Sequence, residues 1–400
     1  MSASLFSRVE MLPRDPILGM TEAYNADSNP NKANLSVGVY FDDNGKLPLL
    51  ECVKRAEKEM LDAGSPRGYL PIDGLAAYDN AVRELVFGQG SELVAAGRAV
   101  TVQGIGGTGG LKVGADFLKK IGPNAEVWIS DPSWENHRAL FESAGFVVKT
   151  YPYYDAASKS VNFAGMLDAL KNAPEGTIIV LHACCHNPTG YDISNAQWLE
   201  LRDVVRVRKL VPFLDMAYQG FAEGVVPDGE AVKLFAATAG PIFISTSFSK
   251  SFSLYGERIG ALTVAGDSAD EAQRVLSQLK RAVRTNYSNP PTHGSKIVAT
   301  VLGSPELRTL WDDELAAMRK RIKETRIAFA DRIAARVPGA DFSFVKTQRG
   351  MFSYCGLSKE QMVALREKHG VYGLDTGRIC VAAINSKNID HVINSVAAVM

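Results

Sequence analysis

Between Ala99 and Thr246 the chain alternates short apolar runs with helical patterns, and few folds accommodate that rhythm. The runs are A-V-T-V-Q, E-V-W-I-S-D, F-V-V-K-T-Y, T-I-I-V-L-H, V-P-F-L-D and P-I-F-I-S-T, with helical patterns beginning at Leu111, Asn136, Asn195 and Glu230 between them. A strand with one wet face alternates apolar and polar residues. Runs that are apolar throughout need cover on both faces. The pattern therefore predicts an α/β fold with a mostly parallel sheet sandwiched by helices. In such a sheet, chemistry gathers at the carboxyl ends of the strands.

The last of those ends carries the most unusual stretch, I-S-T-S-F-S-K-S-F-S-L-Y-G-E-R-I-G over Ile244 to Gly260. Lys250 sits among Phe248, Phe252, Leu254 and Tyr255, with Arg258 eight residues on. Apolar surroundings and a second cation lower a lysine's pKa and free its amine to attack a carbonyl as a Schiff-base nucleophile. The neighbouring hydroxyls and guanidinium suit a phosphorylated aldehyde. A loop lysine between two buried strands is the alternative.

Other strand ends add to this. After A-V-T-V-Q comes Gly104-Ile105-Gly106-Gly107-Thr108-Gly109-Gly110, expected as a turn that offers backbone N–H groups and a helix end to an anion. It also fits G-x-G-x-x-G with Asp131 ending the next strand, so a dinucleotide site competes. In S-D-P-S-W-E-N-H, Trp134 can stack on a flat ring or belong to the core. H-A-C-C-H-N-P-T-G offers His182, Cys184, Cys185 and His186, but consecutive ligands without a distant second pair match no structural zinc spacing, and no metal is expected. Asn187 instead heads a turn that points it outward. Asp215, closing V-P-F-L-D with Tyr218 three residues on, is either a paired buried carboxylate or a helix cap. Arg284 lies in V-R-T-N-Y-S-N-P-P, where the paired prolines and Asn289 suggest an irregular loop. Arg284 and Arg378 are each a surface ion pair or, together, a clamp for a substrate with two carboxylates.

The flanks are less regular. Residues up to 46 are loop-rich, with a strand-like N-L-S-V-G-V-Y and an Asp43-Asn44-Gly45 turn, and a helix follows from Leu50 to Ala63. After Pro305 a long helical pattern runs towards Arg336, then short strands and helices suggest a smaller α+β unit. With 44 basic and 44 acidic residues, nothing global argues for nucleic acid or an anionic membrane. No run reaches the ~18 apolar residues of a membrane span, and the first residues lack the pattern of a signal peptide. Five cysteines, an odd number, fit reduced thiols and a cytoplasmic protein.

Taken together, these motifs resemble the class I aspartate and aromatic aminotransferases, pyridoxal-phosphate enzymes of fold type I, from D-P-I-L near the start to G-V-Y-G-L-D-T-G-R near the end. The resemblance implies that Lys250 carries pyridoxal 5'-phosphate, with Arg258, Gly106, Gly107, Thr108, Ser247 and Ser249 on its phosphate. It puts Trp134 on the ring, Asn187 and Tyr218 on the 3-oxygen, and Asp215 on the pyridine nitrogen. Arg378 would take the substrate α-carboxylate beside Gly38. Tyr69, in R-G-Y-L-P-I-D-G, and Arg284 would reach the neighbouring subunit's site, which makes the protein a homodimer. A large cofactor domain over 47–316 and a small one from 1–46 and 317–400 are implied.

The chain departs from the pattern at Asp375-Thr376, where a carboxylate stands close to Arg378 in sequence. Q-R-G-M-F-S-Y and the ending V-A-A-V-M are similar to the bacterial aromatic branch, which implies transamination of tyrosine and phenylalanine, and of aspartate and glutamate, with 2-oxoglutarate. A nicotinamide oxidoreductase would leave Lys250, Asp215 and Arg378 without roles. A non-catalytic regulator on this fold would lack the lysine or add a DNA-binding segment, and neither is the case.

Overall fold

A computed structural model describes residues 4–400. Its centre is a seven-stranded sheet, numbered here in chain order: β1 Ala99–Ile105, β2 Glu126–Asp131, β3 Val147–Pro152, β4 Ile178–His182, β5 Val211–Met216, β6 Ile242–Ser247 and β7 Ile259–Ala265. Across the sheet the order is β1-β7-β6-β5-β4-β2-β3, with β7 antiparallel to both neighbours and every other pairing parallel. Because β7 runs backwards, its first residues lie at the same edge as the carboxyl ends of the other six.

The apolar runs bury both faces, as their composition requires. Phe213, Phe243, Leu262 and Val264 point into one core, under helices α1 Gly106–Ile121, α2 Glu135–Ser143 and α4 Ala269–Asn286. Their neighbours Leu214, Ile242, Ile244 and Ala261 point into the other, under helix α3 Asn195–Val207. Successive residues of a strand face opposite ways, so two cores need apolar residues at every position.

Three local expectations are corrected. Helix α1 starts at Gly106, not Leu111, so the expected glycine turn is the helix's own first turn. Glycine is a poor helix former, yet bulk is excluded here. A Cβ on Gly110 would lie 2.6 Å from the Ala261 carbonyl oxygen, and one on Gly114 2.6 Å from Phe213. Tight seating on β7 and β5 outweighs propensity. Of N-L-S-V-G-V-Y, the strand Ala33–Asn34 includes only the first residue. Asn34 Oδ1 accepts from the Ser36 N–H and Oγ at 3.0 and 2.7 Å, a local alternative that turns the chain. Finally, the segment around Arg284 is not loop: α4 runs through Asn286, and the prolines act only beyond it.

The flanking parts follow the expected pattern. Ser304 caps the helix Pro305–Arg336 by accepting from the Leu307 N–H, with proline at its first position. Ala33–Asn34 pairs in parallel with Val371–Tyr372, and Phe352–Tyr354 pairs with Arg378–Cys380. No helix among the described residues is long and apolar enough to cross a membrane.

Candidate active site

The carboxyl edge of the sheet encloses a cavity of about 160 Å³. Lys250 reaches into it from the loop after β6, its Nζ 4.9 Å from the centre of the Tyr218 ring. The amine has no hydrogen-bond or ion-pair partner among the described residues. Burial pushes its pKa down to about 8, Asp215 opposing this and Arg258 adding to it. A substantial fraction is therefore neutral, and nucleophilic, near pH 8.

Asp215, the penultimate residue of β5, lines the same cavity and is buried. Burial works to raise its pKa, but the His137 hydrogen bond and electrostatic interactions with His137, His182 and Lys250 prevail, so the net shift is downward. Its Oδ2 lies 2.9 Å from His137 Nε2, and His137 Nδ1 lies 2.9 Å from Ser133 Oγ. The other carboxylate oxygen has no hydrogen-bond partner among the described residues. His182 packs against both His137 and His186, with ring centroids 5.0 and 4.3 Å apart. Burial and these two rings hold it neutral, its pKa well below 6.5.

The opposite wall is a cradle for an anion. Gly107 and Thr108 in the first turn of α1 line it, where backbone N–H groups lack helical partners. Gly106 has φ +66°, and a Cβ there would lie 2.3 Å from Arg258 Nη2. On Gly107 it would lie 3.0 Å from Ser247 Cβ. Side chains at either position would close the space. Arg258 donates to the Tyr255 carbonyl at 3.1 Å and reaches Ser249 Oγ at 3.4 Å, while Ser247 Oγ accepts from the Ser249 N–H at 3.3 Å. Trp134 completes the wall, edge-on to His137.

Asn187 links the cavity to Arg378. It lines the cavity, and its Oδ1 accepts from Arg378 Nη1 at 3.1 Å. Arg378 also donates to the Ser36 carbonyl at 2.5 Å and lies 4.3 Å from the Phe352 ring centre. Its buried Nε–H has no partner among the described residues, the state of a donor awaiting a carboxylate. Gly38 is required beside it, since a Cβ there would come within 2.6 Å of Phe352 Cζ. Asp375 is not a competitor, because Arg366 holds it at 2.7 Å.

Tyr69 and Arg284, expected at the neighbouring subunit's site, do not line this cavity within the chain. They line a separate open cleft with Arg67 and Asn289, and Tyr69 is 97% exposed. The dinucleotide alternative loses its geometry. Its acidic residue would stand on the strand beside the glycine loop's strand, whereas β2 lies five positions from β1. Nor do the clustered histidine and cysteines converge as a zinc set. Both His186 nitrogens are engaged, by Ser130 and Thr189 hydroxyls at 2.9 Å. Sequence reasoning passed over His137, whose partner stands 78 residues away, and considered His182 only as a metal ligand.

The chain is similar to known proteins over nearly its whole length. Residues 30–396 match the family model for aminotransferase class I and II. The aspartate aminotransferase of Pseudomonas aeruginosa is 58% identical over 397 residues, 99% of this chain and 100% of its own. The aromatic-amino-acid aminotransferase of Escherichia coli K12 is 45% identical over 399 residues, again 99% and 100%. Among solved structures, the aromatic-amino-acid aminotransferase from Burkholderia pseudomallei, covalently bound to pyridoxal phosphate, matches with a TM-score of 0.97 at 61% identity, covering 99% of this chain and 100% of that one.

Proposed function

The chain belongs to the class I and II aminotransferase family, and we propose that it moves the amino group of tyrosine and phenylalanine, and of aspartate and glutamate, to 2-oxoglutarate with pyridoxal phosphate as cofactor. The observation that carries this is the unpartnered Lys250 amine in a cavity with Asp215 at one wall and an anion cradle at another. The residues present fit an aldehyde, a ring nitrogen and a phosphate. Pyridoxal phosphate, when bound, supplies a sink for the electrons left behind when a substrate C–H bond loses its proton.

The chain's own residues do the rest. Lys250 Nζ would hold the cofactor and, when free, would take and return the substrate's α-carbon proton. Asp215, oriented by His137, would keep the ring nitrogen protonated. Gly106, Gly107, Thr108, Ser247, Ser249 and Arg258 would hold the phosphate, with Trp134 against the ring and Asn187 and Tyr218 at its 3-oxygen. Arg378 takes the α-carboxylate next to Gly38. A panel of amino donors with 2-oxoglutarate tests the proposal, and turnover of tyrosine and phenylalanine alongside aspartate is the expected result. Aspartate and glutamate turnover alone would establish the second reading, an aspartate aminotransferase, which the 58% identical relative favours.

Tyr69 and Arg284 share one exposed cleft. We place that cleft at a two-fold interface, where each chain lends both residues to its partner's site. Co-expressing Lys250→Ala chains with chains carrying both Tyr69→Phe and Arg284→Leu should then restore aspartate turnover, towards about a quarter of wild type for random pairing into isologous dimers. No recovery in a mixed population, or full activity from a sedimenting monomer, rules the arrangement out. Arg284→Leu alone should cost aspartate and glutamate about 100-fold, the ~3 kcal/mol of a charge-assisted contact, and cost phenylalanine far less. Equal losses for both substrate types would make Arg284 structural.

The domain division at 316/317 falls inside the continuous helix Pro305–Arg336. We propose that this helix joins a large domain over 47–316 to a small one from 1–46 and 317–400. The pairing of Ala33–Asn34 with Val371–Tyr372 supports the union of the two termini.

A further inference from the structure

The buried stripe of helix Pro305–Arg336 runs Trp311, Leu315, Met318, Ile322, Phe329 and Ile333, interrupted by one charged residue, Arg326. Arg326 is 2% exposed and has no carboxylate at ion-pair distance among the described residues. Its terminal nitrogens donate to Ser353 Oγ and to the carbonyls of Gly350, at 2.6 Å, and Phe352, at 2.7 Å. Burial pushes its pKa down only to about 10, so it stays charged at neutral pH. A buried cation without a counter-ion is expensive. Carbonyl dipoles offset part of that cost and leave the net charge in place.

Arg326 forms the floor of a second cavity of about 160 Å³, which shares no residue with the first. Arg319 and Lys323 come from the same side of the helix, at spacings of four and three residues. Arg319 donates to the Gly220 carbonyl at 2.7 Å, and neither cation has a carboxylate at ion-pair distance. At the rim, Arg349 pairs with Glu223 at 3.1 Å and Lys346 with Asp331. The cavity is thus lined by five cations, Arg319, Lys323, Arg326, Lys346 and Arg349, against the single carboxylate of Glu223. Holding strand Phe352–Tyr354 in place explains Arg326 alone. It does not explain why two further unneutralised cations converge on the same hollow, where their mutual repulsion is unfavourable.

We infer that this basic cleft is a second anion site, for a small multiply charged oxyanion of the phosphate class. Guanidinium groups present the fork of N–H donors that tetrahedral oxyanions accept, and the Lys323 ammonium adds a point charge. The hollow is too small for a nucleic-acid strand. Its location bears on the first site. Arg326 holds the Phe352 carbonyl, and the Phe352 ring lies against Arg378.

The test uses the holoenzyme, whose cofactor phosphate already fills the cradle at α1. Inorganic phosphate is titrated calorimetrically at constant ionic strength, with chloride as the balancing salt. Saturable binding in a single class is expected for the wild type, and binding weakened at least about tenfold in Lys323→Glu and in Arg319→Gln, as for loss of one charge-assisted contact. Both residues reach solvent, and circular dichroism checks that each variant is folded. Heat no greater than that of the chloride control, or variants that bind phosphate as tightly as the wild type, overturns the site. The second outcome would assign the binding to Arg378 or the α1 cradle. Because the readout involves no amino-acid substrate, failure here leaves the transaminase reading untouched, and failure of a donor panel leaves this site untouched.

Discussion

Replacing Lys250 with alanine should lower transamination by about ten thousandfold or more, on the scale of general acid–base catalysis combined with loss of the nucleophile. The protein should stay folded and still take up pyridoxal phosphate through the α1 cradle, because neither Arg258 nor the glycine turn depends on the lysine. Two measurements separate this from a general loss of structure. Borohydride treatment of the loaded wild type should add the cofactor's mass to the chain irreversibly, and the variant should gain none. In the wild type, covalent loading of the apoprotein should also depend on pH. Only the neutral amine attacks, and burial sets its pKa near 8. Loading should therefore slow about tenfold per unit below pH 8 and level off above it, a profile an ordinary lysine with pKa ~10.4 would shift upward by more than two units. Near-normal turnover in Lys250→Ala would remove the lysine from the chemistry.

Much of this was legible in the chain because the period-two and period-3.6 patterns are local. Unbroken apolar runs required two buried faces, and Phe243 and Ile244 do point into different cores. Residues at strand ends were identifiable for the same reason. Asp215, Ser247 and Lys250 each follow an apolar run, and the sheet brings those ends together. The resemblance gave Arg378 its role at the α-carboxylate, but its place beside Asn187 depends on a contact across 191 residues that no local pattern encodes.

What escaped the sequence was decided by tertiary contact. Glycines that read as a turn became helix because their missing side chains let α1 lie against Ala261 and Phe213. The end of α4 read as loop because Pro290 and Pro291 are nearby. Yet the turn beyond it is pinned elsewhere, by the Tyr287 hydroxyl on the Gln103 carbonyl at 2.9 Å and by Asn289 on the Leu70 carbonyl at 3.2 Å. Those same contacts carry Arg284 to the cleft of Tyr69. His137 was invisible as a site residue, since a histidine in the first turn of a helix means nothing until β5 places Asp215 against it. Cys184 and Cys185 stood out as ligand types in the sequence. A hydrogen bond from Cys185 works to lower the Cys184 pKa, but burial prevails and pushes it up to about 11, and burial likewise pushes Cys185 up.

Asp215→Ala should reduce turnover by about three decades, the ~4 kcal/mol expected when a preorganised charge facing the reacting system is removed. The argument rests on an asymmetry in how the carboxylate is bound. One oxygen is committed to His137, which Ser133 in turn holds, so the group cannot rotate freely. The other oxygen has no hydrogen-bond partner among the described residues, and Asp215 lines the cavity where the cofactor's ring nitrogen would be received. Its lowered pKa means that it enters the site ionised, able to keep a proton on that nitrogen rather than share it. Alanine also strands His137 Nε2 in a buried position, which carries a stability cost of its own. Asp215→Asn separates the two effects, since the amide keeps the volume and a hydrogen bond to His137 but has no charge. If the charge is what matters, asparagine should lose nearly as much activity as alanine while melting close to the wild type. A loss under tenfold in a folded Asp215→Asn enzyme would mean that the carboxylate merely orients its histidine.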